Sequence, residues 1–192
     1  RKESSAASDV YKRQKLRDLN IAENTVLFFT SDNGCSPQGN FKFLAEYDHD
    51  PSAGYRGHKA DIYEGGHRVP FIVRWPAGID AGQKTNTLAC LTDLYSTMRE
   101  LTNQAANDKG GEDSFSLMPA FKGQSTGRES LISHSIGGSF SIREGDWKLC
   151  LAAGSGGWSA PRERCGGRCC RTCGVVGAAA PRNGFIASSG ER

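Results

Sequence analysis

The sequence lacks several of the patterns by which common protein classes are identified. No apolar run reaches the roughly 18 residues needed to span a bilayer, so no segment is predicted to be a transmembrane helix. There is no phosphate-cradling glycine loop, no H-E-x-x-H and no G-x-S-x-G, so nothing points to P-loop, zincin or α/β-hydrolase chemistry. With 37% hydrophobic and 23% charged residues among 192, the chain can still bury a folded core.

The excess of positive charge is confined to the two ends of the chain. The whole sequence has 24 Lys plus Arg against 21 Asp plus Glu, a formal net charge of +3. Residues 1–14 hold four basic and two acidic residues, and residues 162–192 hold six and two. Residues 15–161 keep 14 basic and 17 acidic residues, a net charge of −3. The body of the protein therefore offers no basic face for nucleic acid.

Cysteine is also concentrated at one end. Four of the seven cysteines lie in residues 162–192, whose only aromatic residue is Phe185; they are Cys165, Cys169, Cys170 and Cys173. Their spacing fits no familiar zinc site, and no histidine accompanies them. Such a segment cannot bury enough surface to offset its ordering entropy, so we expect a disordered or frameshifted tail. Residues 1–14 likewise look like a non-native or disordered leader.

Between these ends, short apolar segments alternate with helical patterns. Residues 15–22 place apolar side chains at three-residue spacing, which predicts the end of an amphipathic helix. Residues 25–30 are nearly all apolar, as expected for a strand buried on both faces in a parallel sheet. A second apolar strand is predicted at residues 69–75. Thr92 or Asp93 can cap a helix that runs to about residue 101, with Leu91, Leu94, Met98 and Leu101 on one apolar face.

The last predicted element is a β-hairpin over residues 139–151. Two β-rich runs flank Gly145-Asp146, a pair that suits a two-residue type II′ turn. Strands that alternate with helices and end in a hairpin predict an α/β fold with a small C-terminal antiparallel sheet. We expect residues 15–102 to form the α/β part and residues 103–161 a small subdomain that contains the hairpin.

The polar residues Ser31-Asp32-Asn33-Gly34 follow the first predicted strand directly. In open α/β sheets, ligands bind beyond the carboxyl ends of the strands. The carboxylate of Asp32 and the amide oxygen of Asn33 are the hard donors that Ca²⁺ or Mg²⁺ prefers. The same four residues also suit a simple turn, and two ligands do not complete a metal site.

A glycine-flanked loop before the second strand supplies a candidate anion contact. Lys59 is a point charge that can hold an oxyanion, although an ordinary solvated lysine is the alternative. The glycine pair at 65–66 permits close approach of another backbone. Glu64 and Arg68 could pair and hold the loop rigid, and His58, beside the lysine, could reach a substrate.

These motifs, in this order, resemble the sulfatase (arylsulfatase-like) family of the alkaline-phosphatase-like superfamily. S-D-N-G at 31–34 is followed, from residue 57, by G-x-K-x-x-x-x-E-G-G-x-R-V-P-F-I-V-R-W-P. Residues 91–97 resemble the family's D-L-Y/x-P-T helix start, with Ser96 where proline is usual. Two later segments, 111–117 and 139–149, resemble its D-G-x-S-x-L segment and its F-A-x-R-x-G-x-W-K-L hairpin. An ordered series of matches over roughly residues 15–150 is far more specific than any one motif.

The resemblance implies sulfate-ester hydrolysis at a bound divalent cation, usually Ca²⁺, with Mg²⁺ as the other candidate. Asp32 and Asn33 match two of the family's metal ligands, and Lys59 matches the lysine that contacts the substrate sulfate. The family's fold is an alkaline-phosphatase-like mixed or parallel sheet sandwiched by helices, of which this chain would form the later part. The expected partner is a sulfated small molecule or carbohydrate, with neither nucleic acid nor a membrane. Family members are commonly periplasmic or extracellular, and we expect the same here.

The chain departs from the family at the nucleophile. In sulfatases this group is a formylglycine, made from Cys or Ser in C/S-x-P-x-R. The nearest match begins at Cys35, but Gly39 stands where the arginine is required, so we interpret Cys35 as a loop cysteine. We therefore predict a carboxyl-side fragment of a sulfatase that is inactive alone. His134 could line its substrate pocket, because some family members have histidines before the terminal hairpin; a structural histidine is the alternative.

Two other functions stay open at the level of sequence. A phosphonate or phosphate-ester hydrolase of the same superfamily would use the same metal turn. A non-enzymatic α/β scaffold would instead place its function in residues 162–192, a basic cysteine-containing tail that binds nucleic acid or zinc.

Overall fold

The computed structural model describes residues 5–105, 110–152, 154–159, 175–177 and 185–187. The helices are α1 (Ser5–Asp18), α2 (Phe41–Ala45), α3 (Glu64–His67), α4 (Asp93–Leu101) and α5 (Met118–Phe121), with a 3₁₀ turn at Pro37–Gly39. The strands are β1 (Leu27–Thr30), β2 (Phe71–Arg74), β3 (Lys84–Thr85), β4 (Ser130–His134), β5 (Phe140–Glu144), β6 (Trp147–Cys150), β7 (Val175–Gly177) and β8 (Phe185–Ala187). Within the described ranges, no helix combines the length and the apolar composition needed to cross a membrane.

The two end segments that were predicted to be a leader and a tail both contain secondary structure. Helix α1 runs through residue 14, the predicted end of the leader. Within residues 162–192 the structure describes two short strands, β7 and β8, which pair with strands of the main body. The four cysteines of that segment lie outside the described residues, so the prediction about a zinc site there is not addressed.

Helix α1 ends at Asp18, earlier than the predicted end at residue 22. Asn20 takes a left-handed φ of 55°. Its amide donates to the carbonyl of Arg17 at 2.8 Å, and the amide of Ile21 donates to the carbonyl of Leu16 at 3.1 Å. These two bonds form a Schellman motif, which closes the helix and turns the chain toward the first strand.

The first sheet is mixed and has the strand order β1-β2-β8-β3. Strand β2 is antiparallel to β1 and parallel to β8. The expectation that residues 25–30 lie among parallel strands and are buried on both faces is therefore wrong for the described residues. Successive side chains of a strand point to opposite faces, and Phe29, on the uncovered face, is 55% exposed.

Residues 117–121 supply the core that covers the other face of this sheet. Leu117, Phe121 and Val73 form one buried cluster. The ring of Phe28 contacts those of Phe71 and Phe121, with centroids 5.9 and 6.4 Å apart. This core joins residues on both sides of the predicted boundary at residues 102–103, so the two parts pack together.

Helix α4 has the predicted bounds, but its buried face is polar. Asp93 and Thr97 are fully buried, whereas Met98, which was expected on an apolar face, is 39% exposed. The hydroxyl of Thr97 donates to the carbonyl of Asp93 at 2.6 Å and accepts the amide of Leu117 at 2.9 Å. Hydrogen bonds to the segment before α5 therefore decide which face of the helix is buried.

The second sheet is antiparallel and has the order β4-β5-β6-β7. Glu144 pairs with Trp147 across Gly145-Asp146, and Gly145 has a φ of 53° while Asp146 does not take a positive φ. This confirms the predicted hairpin and its type II′ turn. The mixed first sheet with its helices, followed by this small C-terminal sheet, confirms the predicted α/β fold.

Candidate active site

The Asp32-Asn33 turn is held against the backbone of α3. The amide of Gly34 donates to the carbonyl of Gly66 at 2.9 Å. The hydroxyl of Ser31 donates to the carbonyl of Asn33 at 2.9 Å, which closes the turn on itself. The sequence places a polar turn here because β1 ends at Thr30 and four residues suited to a tight turn follow.

Glycine is required where these two segments meet. A Cβ added to Gly34 would lie 1.8 Å from the carbonyl oxygen of Gly65, and one added to Gly65 would lie 2.1 Å from that of Gly57. A Cβ on Gly66 would lie 2.5 Å from the carbonyl oxygen of Asp61. All of these obstacles are backbone atoms, which cannot rotate away, so the turn, α3 and the lysine loop form one closely packed unit.

The backbone of Lys59 is fixed beside the same turn. Its amide donates to the carbonyl of Cys35 at 2.8 Å. The next residue, Ala60, takes a φ of 79°, which is uncommon for a residue with a Cβ. The carbonyl of Ala60 accepts the amide of Ile136, from the segment that follows β4, at 3.0 Å. The segments that follow β1 and β4 thus hold Lys59 and the residue after it.

Asp61, which sequence reasoning overlooked, is the fully buried anchor of this loop. Its Oδ2 accepts the amide of His58 at 2.9 Å, and its Oδ1 accepts the amide of Ser159 at 3.0 Å. The hydroxyl of Ser159 also donates to the carboxylate. Burial by itself would raise the pKa of Asp61, but the hydrogen bonds from Ser159 and His58 hold it below its ordinary value.

Glu64, the first residue of α3, faces the second sheet. Its carboxylate accepts hydrogen bonds from Nζ of Lys148 at 2.9 Å and from a guanidinium nitrogen of Arg143 at 3.1 Å. The predicted pair with Arg68 is longer, at 3.8 Å. Burial opposes ionisation of Glu64, but Lys148 first, then Arg143 and Arg68, lower its pKa below the ordinary value.

One open cleft of about 1500 Å³ brings most of the predicted site residues together. The predicted residues that line it are Asp32, Asn33, Lys59, Glu64, Arg68 and His134. With the other described residues, the side chains of Asp32, Asn33 and Lys59 make no hydrogen bond or ion pair. Two oxygen donors and one ammonium group therefore remain available to a ligand in the same cleft.

His58, a predicted substrate contact, is not among the residues that line the cleft. Its Nδ1 is 3.0 Å from the carbonyl oxygen of Lys59, and its Nε2 is 3.1 Å from the hydroxyl of Ser159. The ring also packs against Phe41, with centroids 5.6 Å apart. Both ring nitrogens therefore have partners among the described residues, and a role for His58 as a substrate contact stays a prediction.

Two further residues that line the cleft, Arg128 and His67, were not predicted from the sequence. Arg128 forms an ion pair with the buried carboxylate of Asp93, donates to the carbonyl of Asp113 at 2.7 Å and lies 4.4 Å from the centroid of the Phe115 ring. His67 has a buried Nε2 without a partner among the described residues. Burial first, and then the charge of Lys148, lower the pKa of His67 and favour its neutral form.

The cleft contains some, but not all, of the ligands that a divalent cation needs. Asp32 and Asn33 supply hard oxygen donors that face the cleft and have no other described partner. No group of three or more His, Cys, Asp or Glu side chains arranged to hold a metal occurs in the described part of the chain. Cys35 does not belong to the cleft, and its Sγ is 3.1 Å from the hydroxyl of Ser52.

Comparison with known proteins finds sulfatases, the family that the sequence motifs resemble. The sequence model of the family described as Sulfatase matches residues 13–104. An N-acetylgalactosamine-6-O-sulfatase of Bacteroides thetaiotaomicron is 33% identical over 137 residues, which cover 69% of this chain and 27% of the relative. Human steryl-sulfatase is 34% identical over 110 residues, which cover 57% of this chain and 19% of the relative.

Solved structures of sulfatases are also similar to this chain. A structure described under glycosaminoglycan metabolism by Bacteroides thetaiotaomicron, BT33336S-sulf, is 30% identical with a TM-score of 0.62, covering 72% of this chain and 30% of that one. Ps i-CgsB in complex with k-i-k-neocarrahexaose is 26% identical with a TM-score of 0.58, at the same coverages. The chain thus spans under a third of the length of these relatives. The chain belongs to the sulfatase family, within the alkaline-phosphatase-like superfamily.

Proposed function

We propose that the protein containing this chain hydrolyses sulfate esters. The observation that carries the proposal is the shared cleft of Asp32, Asn33 and Lys59, whose side chains have no competing partner among the described residues. Two oxygens that suit a hard cation and an ammonium group that suits an oxyanion are part of the set of groups that would hold a sulfate ester. Membership of the sulfatase family supports the same reaction.

Each of these residues has a definite role in the proposal. Asp32 and Asn33 hold a divalent cation through their side-chain oxygens, with Ca²⁺ as the first candidate and Mg²⁺ as the second. When bound, this cation supplies charge neutralisation for the sulfate oxygens. Lys59 orients the sulfate group and stabilises the negative charge that develops on its oxygens during displacement. The formylglycine nucleophile comes from outside these 192 residues, since the sequence contains no C/S-x-P-x-R.

A sulfated carbohydrate is the proposed substrate class. The relative from Bacteroides thetaiotaomicron is named for a sulfated amino sugar, and one structural neighbour is a complex with an oligosaccharide. The wide, open cleft suits a sugar chain. We propose that His134, which lines the cleft, contacts such a substrate. By likeness to the bacterial relative, we propose a periplasmic or extracellular location, which cell fractionation would test.

Turnover by the complete protein that contains this chain tests the proposal. We expect Ca²⁺-dependent release of sulfate from 4-nitrophenyl sulfate and from N-acetylgalactosamine 6-sulfate, and no turnover by the 192-residue chain alone. Lys59→Ala should reduce kcat/KM by about 100-fold or more, as removal of a transition-state charge contact does. The exposed Lys42→Ala is the matched control. Faster turnover of 4-nitrophenyl phosphate than of the sulfate ester would favour the phosphate-ester alternative instead.

A further inference from the structure

Arg143 and Lys148 stand directly opposite each other on β5 and β6. Like charges at opposed positions of an antiparallel pair destabilise it. Here the carboxylate of Glu64 lies between them, with contacts of 3.1 Å to Arg143 and 2.9 Å to Lys148. The hairpin therefore needs an anion from the first half of the chain to be stable in this register.

The ion pairs of Glu64 with Arg143 and Lys148 are largely buried, which makes the hairpin depend strongly on the Glu64 carboxylate. Lys148 is only 7% exposed, and a buried ammonium group must be paired. Glu64 supplies its carboxylate from the first residue of α3, and the amide of Arg68 donates to the backbone carbonyl of Glu64 at 2.7 Å, which closes this one-turn helix. The Glu64 carboxylate therefore ties the hairpin to the first residue of α3.

Helix α3 in turn fixes the proposed metal turn. The carbonyl of Gly66 accepts the amide of Gly34, the residue that follows Asn33. The two segments also lie in close backbone contact, since a Cβ added to Gly34 would lie 1.8 Å from the carbonyl oxygen of Gly65. A continuous chain of contacts thus runs from the hairpin, through Glu64 and α3, to the metal turn.

We propose that Arg143 and Lys148 are positioning residues of the active site, which act through Glu64 to fix the Asp32-Asn33 turn. The inference rests on the proposed function in taking this turn as the metal site. It assigns the hairpin, whose Arg143 and Lys148 also line the cleft, a role in holding the geometry of the turn.

Hydrogen exchange of the metal-free complete protein tests this directly. In Lys148→Met, the Gly34 amide should exchange about tenfold faster or more, because its acceptor on α3 is no longer held. Lys148→Arg keeps the charge and should restore most of the protection. The exposed Lys122→Met is the matched control. If Lys148→Met does not fold, Arg143→Gln makes a smaller change to the same cluster.

Calcium affinity, measured by calorimetry, is the second readout. Loss of a supporting partner of a ligand typically weakens metal binding about 10- to 100-fold, and we expect this range for Lys148→Met but not for Lys122→Met. Unchanged Gly34 exchange in folded Lys148→Met and Arg143→Gln would overturn the inference. Absence of sulfate-ester turnover in the wild type would overturn the proposed function but not the exchange result, so the two failures are distinguishable.

Discussion

The backbone amide of Ser159 donates to Oδ1 of Asp61 at 3.0 Å, across 98 positions of the chain. Asp61 is fully buried and also accepts the amide of His58. The carboxylate thus joins residues 154–159 to the loop that carries Lys59. Residues 154–159 therefore help to hold the loop of the candidate site.

Asp61→Ala should strongly destabilise the protein. It leaves the partly buried amides of His58 and Ser159 without their acceptor, and an unsatisfied buried group costs about 1–3 kcal/mol. We expect the free energy of unfolding to fall by about 3 kcal/mol or more, measured by chemical denaturation of the complete protein. Asp80→Ala, at an exposed aspartate with one hydrogen bond to Gln83, is the matched control. Equal effects of the two substitutions would contradict this role.

Local turn chemistry explains what the sequence made predictable. Gly145-Asp146 lies between two β-rich runs, and this is enough to define a hairpin and its register. The polar turn at Asp32-Asn33 is recognisable because it follows an apolar strand and precedes the lysine loop in the family's order. Short-range patterns of this kind determine the candidate site's position along the chain, and most of its predicted residues do share one cleft.

Long-range pairing explains what could not be predicted. Asp61 and Lys148 are charged residues, which are normally exposed, and they are buried because Ser159 and Glu64 reach them from distant parts of the chain. No local pattern carries that information. The antiparallel partner of β1 was missed for a related reason, since the apolar composition of a strand does not specify which strand it pairs with.

Gly34→Ala should disrupt the docking of the metal turn. The new Cβ would lie 1.8 Å from the carbonyl oxygen of Gly65, so one of two backbone segments must move. We expect a loss of about 3 kcal/mol or more in unfolding free energy and a weaker affinity for Ca²⁺. Gly39→Ala is the matched control, because nothing lies within 4 Å of its added Cβ. Thermal unfolding and calorimetry check both effects, and equal stability of the two variants would argue against the close contact.

Thr97→Val should show that hydrogen bonds to the core segment hold α4. The replacement keeps the shape but removes the hydroxyl that accepts the amide of Leu117 at 2.9 Å in a fully buried position. The orphaned amide should lower the unfolding free energy by about 1–3 kcal/mol. Thr102→Val, whose hydroxyl bonds to the carbonyl of Met98 at an exposed site, should have a smaller effect. Urea denaturation of both variants makes the comparison, and a neutral Thr97→Val would refute the assignment.

Acidification should remove the stabilisation that the Glu64 carboxylate provides. Burial opposes its ionisation, but Lys148, Arg143 and Arg68 lower its pKa below the ordinary value of 4.5. Between the lowered pKa of the folded state and the ordinary pKa of the unfolded state, the unfolded chain binds more protons, so stability decreases as the pH falls. The wild type should therefore lose more unfolding free energy between about pH 5 and pH 3 than Glu64→Gln does. Glu100→Gln, at an exposed site, should follow the wild type, and parallel pH profiles for all three proteins would show that the Glu64 carboxylate is not held by these cations.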